Sequence, residues 1–295
     1  MKILYGAGTP SGANIRLSRF LKNCQHDVLV AAYYRNHRYL HHIDWALDAV
    51  RTADPTRRSM VNNLFGHKGV PQIDYEQASL ILDNLVDSPP DLIISDYEPI
   101  TAHIAQTMEI PLWYCSPLLM LVGMEWESGQ GKMVRQFDGV LENIKHMPVA
   151  QRYLIYSPFC DIAGRPILKE GFEWVSPYFE NNQELVSETS SVITDLSRLL
   201  DDSVITTGET CFVADIMYRS KRVAVAPDID DAERTLNAEL CSWYCIGQNM
   251  GDLSKVGLEY ARSRIGLLDR CSVSMSPQVW GYLHDKVNEY EESSV

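Results

Sequence analysis

The residues best suited to chemistry fall in one stretch, Val204 to Ala238. Thr207 and Thr210 place hydroxyls on either side of Gly208 and Glu209, and further along Asp228, Asp230, Asp231 and Glu233 crowd one loop before Asn237. Glycine lets a backbone approach a ligand closely, and a helix starting just after it points free N–H groups at an anion such as a diphosphate. Carboxylates in a facing loop suit the cis-hydroxyls of a ribose or a sugar, because each accepts two hydrogen bonds from neighbouring hydroxyls. Seen alone, the acidic loop reads as a solvated turn. Its position after the Gly turn favours a nucleotide-sugar site instead.

The elements around these residues read as parallel α/β structure. Val204 to Thr206 is a short β-branched strand closed by Thr207-Gly208, a helix runs from Glu209 to Tyr218, and Arg222 to Ala226 is the next strand, ending at Pro227. The acidic loop therefore follows the C-terminal end of a strand, where open α/β sheets bind ligands.

A second candidate lies earlier. The strand Asp91 to Ser95 ends in Asp96-Tyr97-Glu98-Pro99, ahead of a helix from Ile100 to Met108. Burial of Asp96 would raise its pKa toward that of a useful general base for a hydroxyl acceptor, with Glu98 in reserve and His41 and His42 as outside candidates. The competing role for Asp96 is a carboxylate capping that helix.

The chain opens with a strand, Lys2 to Tyr5, a loop from Gly6 to Gly12, a helix from Ala13 to Lys22 and a strand from Asp27 to Ala32, which is a βαβ start. Gly6-x-Gly8 there invites a dinucleotide reading, but Gly12 is misplaced for the third glycine. The second strand also runs into Tyr33-Tyr34-Arg35 with no carboxylate for a ribose 2′-hydroxyl. Arg35 suits a 2′-phosphate, which leaves NADP as a minor alternative.

The chain has 295 residues, 45% of them hydrophobic, enough for two domains of ordinary size. Seven cysteines, scattered and without a C-x-x-C pair, read as reduced thiols of a cytoplasmic protein rather than zinc ligands or disulfides. There is no apolar run of the ~20 residues that a membrane span requires, so no membrane partner is expected, and the opening residues read as a first strand rather than a signal peptide.

The formal charge of −13 is divided unevenly. Residues 1–68 hold ten Lys or Arg against four Asp, a net of +6, and five of the eight histidines, so the remainder carries −19. Such a basic stretch is either a solvated face or the footprint of a polyanionic partner. Tyr33, Tyr34 and Tyr39 among its arginines would suit an extruded base on duplex DNA.

The Thr207 to Ala238 segment resembles the donor half of GT-B glycosyltransferases, whose usual text is a strand, a Gly-Gly-x-x-Thr/Ser loop, a helix, a proline, and Asp/Glu-Gln-x-x-Asn-Ala. Thr207-Gly208-Glu209-Thr210 matches the loop with one glycine fewer. Pro227, Asp231, Glu233, Asn237 and Ala238 match the later part, and Arg234 stands where the family commonly has Gln. The resemblance implies two Rossmann-like domains facing a cleft, with a compact second one. Residues 1–147 would form the acceptor domain and 148–295 the donor domain, joined by a linker at Lys145 to Ala150, with a last helix at 277–291 that crosses back. It implies a nucleotide-sugar co-substrate of the UDP type, held by Thr207, Gly208, Glu209, Thr210, Asp231, Glu233, Asn237 and Ser157, and no bound cofactor or metal. Gly8, Gly12, Arg16, Arg19, Arg35 and Arg38 would meet the acceptor or the phosphates. Arg152, Arg165 and Lys169 lie near the same cleft, and one of Arg16 and Arg19, a turn apart, should face outward. Many relatives carry a histidine base after the first strand, and Gly12-Ala13-Asn14 lacks it.

In outline the chain is similar to the small phage enzymes that glycosylate hydroxymethylcytosine in DNA, which would act in the host cytoplasm. That makes a modified base in duplex DNA the favoured acceptor, with a lipid-linked or small-molecule acceptor as the alternative. A nucleotide-sugar epimerase and a non-catalytic nucleotide-sugar binding protein are the readings from other classes.

Overall fold

The strand β1 (Lys2–Ala7) is buried almost throughout and is flanked on both sides by other apolar strands. With no polar face to turn to water, it takes the centre of a parallel sheet. The computed structural model describes residues 1–8, 12–32, 49–51, 81–83, 85–161, 167–178, 203–218, 222–228, 230–252 and 281–294. It divides into two units. The first comprises Met1–Ile155, Pro166–Val175 and Leu283–Val295, and the second Tyr156–Arg165 and Ser176–Tyr282.

The sheet of unit 1 has the strand order β3-β2-β1-β4-β5-β6-β7. Its other members are β2 (Asp27–Ala32), β3 (Ala49–Arg51), β4 (Leu92–Asp96), β5 (Leu112–Cys115), β6 (Arg152–Tyr156) and β7 (Phe172–Val175). The first six run parallel in the doubly wound order, which reverses direction between β1 and β4. Ala7 pairs with Asp96 at that switch point, so both candidate segments of unit 1 converge there. Helix α1 (Gly12–Asn23) follows β1, and α2 (Pro99–Met108) follows β4. Three shorter helices, α3 (Met120–Gly123), α4 (Gly131–Arg135) and α5 (Asp138–His146), lie between β5 and β6.

The expected boundary at 147/148 is corrected by β6. Its residues pair in parallel with β5, Trp113 opposite Arg152, and carry unit 1 on to Ile155. A carboxylate holds this edge together. Glu173 on β7 accepts from Arg152 Nε at 2.8 Å and Nη2 at 2.6 Å, and from Lys286 Nζ at 3.1 Å. The Arg152 guanidinium also lies 4.7 Å over the Trp113 ring. Lys286 comes from the C-terminal helix, counted with unit 1, whose described extent is Leu283–Ser294.

Unit 2 contains the stretch of greatest chemical interest. Its sheet has the order β10-β9-β8 with all pairs parallel, from β8 (Ser203–Thr206), β9 (Arg222–Val225) and β10 (Gly247–Asn249). Helix α6 (Thr210–Tyr218) links β8 to β9 and α7 (Ala232–Trp243) links β9 to β10; the C-terminal helix is then α8. Among the described residues no helix is long and apolar enough to cross a membrane.

Candidate functional site

Each unit has a junction at which a glycine stands between the end of a strand and the start of the next helix. In unit 1 the Gly8 N–H donates to the Asp96 carbonyl at 3.0 Å, and a Cβ on Gly8 would stand 2.6 Å from that same oxygen. Only glycine lets the two strand ends approach so closely.

The Asp96 side chain is fully buried and faces α1. Arg16 Nε donates to its Oδ2 at 2.7 Å and Nη2 to its Oδ1 at 2.9 Å, with the Tyr5 hydroxyl 3.3 Å from Oδ2. This is the bidentate geometry that fixes a guanidinium against a carboxylate. Tyr97, at φ +55°, sits in the left-handed region between Asp96 and Glu98 and separates their tasks. Glu98 is the N-cap of α2, accepting from the Ile100 N–H at 3.1 Å and the Thr101 N–H at 2.6 Å. The capping role weighed for Asp96 therefore belongs to Glu98.

Both carboxylates proposed as bases are thus buried and engaged in holding unit 1 together. Arg16 and Arg19 are both buried, which corrects the expectation that one faces outward. The reason is that α1 is covered on one side by β1 and on another by α8. Gly12 starts α1. Arg152 is held by Glu173, and Lys169 Nζ donates to the Val122 carbonyl at 2.7 Å. Arg35, Arg38, Arg165, His41 and His42 lie outside the described residues.

In unit 2 the sequence-derived donor residues do come together, with Ser157 the exception. Gly208 has φ +101°, and a Cβ there would lie 2.8 Å from Val225 Cγ1 and 2.9 Å from the Arg234 carbonyl. Strand β9 and helix α7 therefore both press on the turn. The Gly208 N–H donates to Thr206 Oγ1 at 3.2 Å, closing a hydroxyl turn at the end of β8.

Asn237 Nδ2 reaches back from α7 to the Gly208 carbonyl at 2.7 Å and Thr210 Oγ1 at 2.9 Å. Its Oδ1 is buried with no hydrogen-bond partner among the described residues. Glu233 Oε1 accepts from the Thr210 N–H at 3.0 Å. Asp231 is the N-cap of α7, accepting from the Arg234 N–H at 3.1 Å. Asp228 Oδ1 takes the Asp230 N–H at 3.3 Å, an Asx turn in the exposed loop. Ser157 instead turns its own chain, its Oγ accepting from the Phe159 N–H at 3.1 Å.

Glu209 lies at the start of α6. It accepts from Arg234 Nη2 at 2.7 Å and from the Thr207 hydroxyl. Burial pushes its carboxyl above the usual carboxylate range, outweighing Arg234 and Thr207, which pull it down. Thr206 and Arg234 were not among the residues selected from the sequence, although Arg234 was visible there as a departure from the GT-B text. Among the described residues no cluster of three His, Cys, Asp or Glu side chains is placed to hold a metal ion.

No protein-family model matches this chain, and no curated protein sequence does. Solved structures do. CalG4, the calicheamicin glycosyltransferase, superposes with a TM-score of 0.63 at 11% identity, over 100% of this chain and 99% of that one. SsfS6, a glycosyltransferase of Streptomyces sp. SF2575, gives 0.59 at 16% identity over 99% of both chains. The spinosyn rhamnosyltransferase SpnG, solved with thymidine diphosphate, gives 0.59 at 11% over 98% of this chain and 99% of that one. Two parallel α/β units and this set of neighbours lead to one conclusion: the chain has the fold of the GT-B glycosyltransferases.

Proposed function

We propose that this chain is a glycosyltransferase that binds a pyrimidine nucleoside-diphosphate sugar in unit 2 and transfers the sugar to a hydroxyl of a small molecule. The observation that carries the reading is the junction at Gly208. There β8, α6 and α7 bring Thr207, Thr210, Glu233, Arg234 and Asn237 onto one turn. In the reaction the acceptor oxygen bonds to the anomeric carbon as it loses its proton. The bond from that carbon to the diphosphate oxygen breaks, and its electron pair leaves with the diphosphate. Charge grows on the leaving group, so a cation and hydroxyl or N–H donors near it lower the barrier. Arg234, Thr207 and Thr210 are the groups of unit 2 suited to this, and turnover is expected to survive a chelator.

The small-molecule acceptor replaces a modified cytosine in DNA as the favoured reading for two reasons. The similar structures include the calicheamicin glycosyltransferase CalG4 and the spinosyn rhamnosyltransferase SpnG. In addition, the basic stretch that suggested DNA has two of its cations, Arg16 and Arg19, buried inside unit 1. Buried cations neutralise no phosphates.

The test is a mass-spectrometric transfer assay. UDP- and dTDP-sugars are incubated with a panel of hydroxylated aromatic and macrocyclic acceptors, and in a separate arm with hydroxymethylcytosine duplex DNA. A hexose or deoxyhexose increment on a small molecule is the expected result. An increment confined to the DNA arm would overturn the acceptor assignment, and a chain that binds no nucleoside diphosphate would overturn the whole reading.

A further inference from the structure

Glu209, in the loop that is one glycine short of the GT-B text, and Arg234, which stands where that text has Gln, bond to each other at 2.7 Å. They come from different elements, the turn before α6 and the first turn of α7. Substituted independently, a carboxylate or a guanidinium at this buried junction would each leave a charge without a partner. Together they form a pair.

The setting of the Glu209 carboxylate resembles that of a phosphate. It lies at the start of a helix and accepts from the Thr207 hydroxyl and from the Arg234 guanidinium. A hydroxyl and an Arg at a helix start are among the donors a phosphate oxygen takes. The N–H of the next residue, Thr210, is held by another carboxylate, Glu233.

The pair is not sealed. The Arg234 side chain keeps 18% of its exposure, and its Nε lies 3.8 Å from Asp231 Oδ2 with no hydrogen bond among the described residues. The guanidinium can therefore change partner without first losing a closed set of bonds. Close by, the buried and unpartnered Oδ1 of Asn237 offers an acceptor for a hydroxyl.

We propose that Arg234 is the residue of this chain that contacts the donor's diphosphate, and that Glu209 is an internal anion occupying the phosphate position until the donor displaces it. This rests on the nucleoside-diphosphate reading of unit 2. The consequence is that Glu209 weakens donor binding and sets its selectivity. A donor must bring enough negative charge to take Arg234 from its carboxylate, so a nucleoside diphosphate is held and a nucleoside or monophosphate is poorly retained.

Calorimetric titration with UDP and dTDP tests this on the full chain and on Glu209→Gln, Arg234→Gln and the double variant Glu209→Gly/Arg234→Gln, with melting temperatures alongside. Glu209→Gln is expected to bind about ten-fold more tightly, and Arg234→Gln about ten-fold more weakly, the size of one charge interaction at a partly exposed site. A pair that only holds the fold together would lower both melting temperatures without moving the two affinities in opposite directions. Should Glu209→Gln fail to fold, the double variant carries the test and is expected to bind more tightly than Arg234→Gln alone. Unchanged or weaker binding in a folded Glu209→Gln, with the parent chain still binding UDP or dTDP, overturns the proposal and leaves the glycosyltransferase reading standing. Absence of binding in every protein removes both.

Discussion

The two strand–glycine–helix junctions start from similar sequence material and end differently. In unit 1 the pair Arg16–Asp96 keeps only 2% and 0% side-chain exposure, while in unit 2 Arg234–Glu209 keeps 18% and 3%. The first is bidentate and closed by Tyr5, so each partner serves the other and the fold. The second has one direct bond, and the Nε of its cation lies 3.8 Å from Asp231 Oδ2 with no hydrogen bond among the described residues. A charge pair at a strand end is thus structural when both members are shut in, and available to a ligand when its longer member still reaches water. By that criterion the chemistry proposed for unit 2 has an accessible cation, while the Asp96 carboxylate is shut in with Arg16.

The largest effect should come from breaking the sealed pair. Asp96→Asn takes the carboxylate charge away from the bidentate contact with the buried Arg16 guanidinium, and the loss of stability should be about 3–5 kcal/mol, read by urea unfolding. A variant of parental stability with abolished turnover would reverse the comparison and make Asp96 the base. Gly208→Ala comes next. The left-handed backbone and the 2.8–2.9 Å approaches of Val225 and Arg234 should together cost about 1–3 kcal/mol, together with a weaker affinity for UDP. An alanine variant with parental melting temperature would mean that the turn is looser than its contacts imply.

The smallest effects lie in the pH dependence, and here two carboxylates act with opposite signs. Glu209 has its pKa raised by burial, so the native state binds more protons than the unfolded chain. Its contribution to stability falls as pH rises from the ordinary Glu value through the raised one. Glu173 has its pKa lowered, first by the Arg152 hydrogen bond. It contributes stability above the ordinary Glu value that is lost as pH falls through the folded one. Being about 40% exposed, it is screened and should contribute under about 1 kcal/mol. Glu209→Gln should flatten the profile on the rising-pH side and Glu173→Gln on the falling-pH side. Identical profiles for the two variants would contradict the assignment of the slopes.

Much of the fold was legible because it rests on local pattern. The β-branched runs Leu92–Asp96 and Arg222–Val225, and the helices after Pro99 and Gly208, stand within a residue or two of their expected bounds. β6 was legible as a strand but not in its membership, since a strand's pairing is a long-range matter that its own residues do not encode. The donor segment was legible as a set, because the turn and α7 are near in sequence and their spacing repeats a known text. The partner of Asp96 was not, because Arg16 lies 80 residues away and its burial depends on α8 closing over α1. The Glu209–Arg234 bond was half visible. Glu209 stood out as a member of the donor loop and Arg234 as a departure from Gln, and only the packing of α7 on the turn joined them.

Hydrogen exchange read by mass spectrometry, with and without saturating dTDP or UDP, tests most directly the claim that unit 2 holds the nucleotide. Protection concentrated in residues 206–212 and 231–238, with no comparable change at 3–8 and 92–100, is the predicted result. Protection confined to the Arg16–Asp96 junction, or no protection at a concentration that saturates other nucleoside-diphosphate binders, would contradict it.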